Sequence, residues 1–221
     1  MATKETLEHT LSSLVSGLDR PSPSKNWFTL YWFSWLSCLS VMSLLTYLAA
    51  AVFPADIHLP QELRNYAFWG EAALWFSLAL CSAVISFLSG YPNRSFQKSL
   101  KLIYVLASVL AAWLLFQESP RAIASDFMTE VELHRGPCGF FILFTGLFST
   151  LGLFLILRKA APIKLSFTAL WTALSVGSLS SMFMHLVCTH ESTAHVLLWH
   201  VTPILMLMAL ATFVSPRLLR W

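Results

Sequence analysis

Residues 138–157 read CGFFILFTGLFSTLGLFLIL, and none of them is charged. A hydrocarbon layer about 30 Å thick is crossed by about 20 apolar residues wound as a helix. This stretch has that length, and Arg158 and Lys159 close it. Backbone in hydrocarbon must satisfy its own hydrogen bonds, so the run is expected to be helical. Five further runs of the same kind lie around it, at 27–53, 66–88, 101–117, 165–187 and 196–214. The chain of 221 residues is 57% hydrophobic and only 11% charged. A soluble domain carries about 25% charged residues, so too little polar surface is present to coat a water-soluble globule. The expected fold is all-α: an integral membrane bundle of six transmembrane helices (27–221) behind a short amphipathic N-terminal segment (1–26).

The segments between the runs alternate in charge. Lys4, Arg20, Lys25, Arg94, Lys98, Lys101, Arg158, Lys159, Lys164, Arg217 and Arg220 fall on one side, and Arg64, Arg121 and Arg135 on the other. By the positive-inside rule the eleven mark the cytoplasmic side, which places both termini there. No cleavable signal peptide is expected, because residues 1–26 lack an apolar core.

Within that leader, Leu7, Leu11, Leu14, Val15 and Leu18 form one stripe of a helix. Gly17 and the DRPSPS that follows end it in a linker. Its net charge is zero, which suits a partner groove better than an anionic lipid surface. Trp27, Tyr31, Trp32 and Trp35 are expected to form an interfacial belt. Residues 173–182, ALSVGSLSSM, suit close helix packing.

The chemistry-bearing residues gather at the outer side. Cys138 opens the fourth run, and Cys188 follows the fifth within MHLVCTHESTAHVLLWH (184–200). Two antiparallel neighbours joined by a short loop can bring matching ends together, though sequence leaves open whether a disulfide forms. His134 with Cys138, and His185 with Cys188, have helical spacing for a metal. The paired regularity of zinc motifs is absent, so no permanent metal and no cofactor are expected, only transient capture of a thiophilic ion. His185, His195 and His200 are weighed as haem ligands. Cys38 and Cys81 are read as inert apolar residues. Glu71 is expected to lie shallow enough to reach headgroup water. No nucleophile–base pair, phosphate loop or catalytic carboxylate pair is present, so an enzyme is not expected. The alternative is a membrane thiol or haem oxidoreductase using Cys138 and Cys188, or the histidines. A transporter is disfavoured by the missing midplane polar site.

The C-terminal half resembles the NrsF family, the negative regulators of sigma-F. The resemblance rests on Cys138, on LRKAAP at Leu157–Pro162, on Cys188, on Trp199 and on the terminal RLLRW at Arg217–Trp221. It implies a bacterial inner-membrane anti-sigma factor without direct nucleic-acid contact. Its cytoplasmic N-terminus (Leu7, Leu11, Leu14, Val15, Leu18) would hold an extracytoplasmic-function sigma factor. Cys138 and Cys188 would sense oxidants or heavy metals and release that partner. The family's His-Cys-Pro-Glu is replaced here by Val187-Cys188-Thr189-His190, with His185 before it and Glu191 after. His185, His190, Glu191 and His134 are therefore candidates for tuning the thiols or binding a metal transiently.

Overall fold

The computed structural model describes residues 26–52, 66–89, 137–159, 164–188 and 192–219, with Leu102, Ile103, Val105, Leu106, Val109 and Ala112 between them. Among the described residues five helices are continuous: α1 Trp27–Val52, α2 Tyr66–Leu88, α3 Pro137–Lys159, α4 Leu165–His185 and α5 Thr193–Leu218. Each is long and apolar enough to cross a membrane, by length and composition. No strand occurs among the described residues. The expected run at 101–117 is described only at isolated helical positions, and the leader at 1–26 lies outside the described residues except for Asn26.

α4 is the central helix, in contact with α1, α2, α3 and α5. Its sequence explains the position. Ala169, Ala173, Ser175, Val176, Gly177, Ser178, Ser180 and Ser181 are all buried, and such small side chains let neighbouring backbones approach. A Cβ built on Gly177 would lie 3.1 Å from Ile204 of α5. The hydroxyls also tie the helices together. Ser86 Oγ meets Thr172 Oγ1 at 2.6 Å, and Ser89 Oγ meets Thr168 Oγ1 at 2.6 Å. Ser175 Oγ donates to the Ala79 carbonyl at 2.8 Å, and Thr145 Oγ1 donates to Ser180 Oγ at 3.1 Å.

These contacts fix the helix directions. The start of α1 packs on the end of α2, where Phe28 and Tyr31 each lie 5.3 Å from Phe87. Ser89 joins that end to the start of α4. One end of the bundle therefore carries Arg158, Lys164 and Arg217. The opposite end carries Cys138, Cys188 and the start of α5.

The aromatic belt is corrected for two residues. Tyr31 and Trp35 are buried, not interfacial. Tyr31 donates its hydroxyl hydrogen to the Ala83 carbonyl at 2.9 Å, and Trp35 Nε1 donates to Ser175 Oγ at 3.0 Å. Both lie on the side of α1 that faces α2 and α4, and each polar tip finds an acceptor inside the bundle. Trp32 is half-buried against the same core; the Trp27 side chain lies outside the described set.

Candidate functional site

Three helix ends build the site. α3 begins at Pro137, where a missing N–H is tolerated, and Cys138 follows in the first turn. Past the end of α4, the Cys188 N–H donates to the Met184 carbonyl at 2.8 Å, which ties the cysteine to the helix. α5 opens at Ser192, whose Oγ accepts the His195 N–H at 3.1 Å. This is an N-cap bond that satisfies an otherwise orphaned donor.

After an α-helical start at Thr193–His195, α5 departs from α-helical winding. Val196–Val201 forms a π-helical turn. Pro203 explains part of this, since it has no N–H for the Trp199 carbonyl and its ring crowds the preceding turn. The Thr202 N–H instead reaches Leu197, five residues back. In an α-helix, residues five apart diverge by about 140°. The wider turn brings His195 and His200 to one side, with ring centroids 5.7 Å apart. α3 approaches this turn closely at Gly139. A Cβ there would lie 3.1 Å from Trp199 Cε3 and 3.2 Å from Pro203 Cγ.

The sulfurs meet at this junction. Cys138 Sγ lies 3.6 Å from Cys188 Sγ, and both cysteines are buried. A disulfide bond is about 2.05 Å long, so no disulfide joins the two. Cys188 Sγ lies 3.2 Å from His195 Nε2. Ser181 Oγ lies 3.0 Å from His200 Nδ1. His200 Nε2 is buried and makes no hydrogen bond among the described residues. One donor atom from each of Cys138, Cys188, His195 and His200 lies within 4.8 Å of the others. The neighbouring Cys138 thiol holds Cys188 well below the usual thiol range; burial opposes this, and the two α5 histidines support it. A thiolate is the nucleophilic and metal-binding form of cysteine.

Beside this cluster lies a second polar group. Glu71 is buried rather than in reach of headgroup water. Its Oε1 accepts from Trp75 Nε1 at 3.4 Å and lies 3.9 Å from His185 Nδ1. The His185 ring stacks on Phe68 at 4.7 Å. The reason is local: Glu71 sits on the face of α2 that packs against α4, so its carboxylate finds partners there instead of water.

The candidate site residues therefore separate. Cys138 and Cys188 come together, while His185 pairs with Glu71. His134, His190, Glu191, Leu7, Leu11, Leu14, Val15 and Leu18 lie outside the described residues. Cys38 and Cys81 are half-buried within α1 and α2. His195 and His200 join the thiols and share one helix side. Their partnership with the cysteines was legible only through Pro203, whose position implies a widened turn.

A family model described as negative regulator of sigma F matches residues 14–221. No curated protein and no solved structure matches the chain.

Proposed function

Because the chain belongs to the NrsF family of negative regulators of sigma F, we propose that it is an inner-membrane anti-sigma factor switched by Cys138 and Cys188. The bundle spans the membrane with the basic end and both termini in the cytoplasm. Residues 1–26 hold an extracytoplasmic-function sigma factor through Leu7, Leu11, Leu14, Val15 and Leu18. The cysteine end faces the periplasm, where oxidants and heavy metals arrive. Fully apolar side chains on the outside of the helices, such as Phe33, Phe140 and Phe213, support the membrane reading, since each is at least 70% exposed. The family is one of regulators, and no catalytic step is assigned.

The observation that carries the switch is the 3.6 Å approach of the two sulfurs at the end of three helices. A two-electron oxidant such as a peroxide converts both thiols to a disulfide. The sulfurs lose two electrons and two protons, and the peroxide leaves as water. The S–S distance falls to about 2.05 Å, which draws the start of α3 toward the end of α4. A soft metal ion bridging the sulfurs changes the same spacing. Two bundle arrangements, favoured differently by the two sulfur states, would carry the change to the leader.

A sigma-dependent reporter tests this in cells exposed to cadmium or dichromate. Wild type is expected to respond, and Cys138→Ser and Cys188→Ser to respond differently. An unchanged response in both variants would remove the sensing claim.

A further inference from the structure

The two thiols are not alone, and the groups around them make a complete coordination set. Resting on the reading of Cys138 and Cys188 as the sensing pair, we propose that the resting site is a closed four-coordinate zinc site formed by Cys138, Cys188, His195 and His200. This replaces the expectation of no permanent metal, which was built on His134 and His185 as the nitrogen ligands.

Geometry is the first support. In a tetrahedral site with Zn–S of about 2.3 Å and Zn–N of about 2.0–2.1 Å, sulfurs lie about 3.8 Å apart and sulfur lies about 3.6 Å from nitrogen. The corresponding distances here are 3.6 Å and 3.2 Å. An ion would need to spread these two pairs by only a few tenths of an ångström and to draw in the wider-spaced donors, all four of which lie within 4.8 Å of one another.

His200 is the second and independent support. Its imidazole is 1% exposed, and Nε2 has no hydrogen-bond partner among the described residues. A buried ring nitrogen left unpaired is costly, and a metal ion satisfies it. Nδ1 is held by Ser181 Oγ at 3.0 Å. With Nδ1–H donating to that hydroxyl, Nε2 is the lone-pair nitrogen. Ligating histidines are held in this way by a partner on the other ring nitrogen.

Charge and enclosure agree. Two thiolates balance Zn2+, so the set carries no net charge into a buried place. All four ligands are buried and supply four donors, leaving no place for a reactive water. The site is therefore structural or regulatory. Its ligands come from α3, the end of α4 and the start of α5, so the ion would pin three helix ends to one another. Cadmium, softer and larger than zinc, would compete for the same thiolates and alter that spacing.

The test is the metal content of the full chain, purified in detergent from zinc-supplemented cells with a tag that binds no metal. About one zinc per chain is expected for wild type. His200→Ala and Cys188→Ser are expected to fall below about a tenth of that, while His185→Ala keeps its zinc. Ser181→Ala, which removes only the positioning hydroxyl, is expected to weaken zinc binding by about 10- to 100-fold. Cobalt substitution of the wild-type chain decides the matter without variants. A tetrahedral visible spectrum with a thiolate charge-transfer band is expected. Zinc-free wild type without such a spectrum, or zinc unchanged in His200→Ala, overturns the site. The two readings fail separately. A metal-free protein whose reporter response still depends on the cysteines retains the sensor reading and loses the zinc. A zinc-bound protein whose reporter ignores Cys138→Ser and Cys188→Ser retains the zinc and loses the sensor.

Discussion

At the scale of the residue, one atom decides several contacts. Ser175 Oγ accepts the Trp35 N–H and donates to the Ala79 carbonyl, so it joins α1, α2 and α4. Ser175→Ala is expected to destabilise the bundle by about 1–3 kcal/mol, because it strands a buried indole N–H. Unfolding in mixed micelles, compared with Trp35→Phe and the double variant, measures the coupling. Single residues were also where sequence was least informative. An aromatic cluster at a span's start reads identically whether it faces headgroups or a neighbouring helix. Tyr31 and Trp35 proved to face neighbours that offer acceptors. Glu71 was misread for the same reason: depth along a helix is visible in sequence, but the direction a side chain faces is not.

At the scale of the element, apolar runs were legible because hydrocarbon thickness and helical rise leave little freedom. The described helices begin and end within a few residues of the expected runs. The small residues of α4 likewise announced a packed helix. What remained hidden was the winding of α5. His195 and His200 are five apart, which in a regular helix separates them. Only the π turn before Pro203 brings them to one side with Cys188. Pro203→Ala restores a donor for the Trp199 carbonyl and lets the turn relax toward α-helix. The variant is expected to keep its helicity by circular dichroism but to lose zinc or cobalt binding. Retained binding would show that the π turn is not what assembles the four donors.

At the scale of the whole molecule, the proposed sensing and docking functions would sit at opposite ends of the bundle. Basic residues mark one end and the sulfurs mark the other. A helix of about 20 residues sets those ends about 30 Å apart. On the proposed reading, a signal at the sulfurs would reach the leader through the packing of the helices between. α4 touches every other described helix and carries the hydroxyl network, so it is the element best placed to transmit a change in spacing at Cys188. The cysteine pair was legible as two residues at matching ends of antiparallel neighbours. The leucine stripe of the leader lies outside the described residues; on the proposed reading, Leu11→Asp with Leu14→Asp is expected to abolish retention of the sigma factor in a pull-down. The most direct measurement is the amount of sigma factor that co-purifies with the full chain before and after cadmium, for wild type and Cys188→Ser. The expected result is a loss of sigma factor from wild type and none from the variant. Equal retention by wild type before and after the metal, or equal loss from both proteins, would contradict a switch built on these sulfurs.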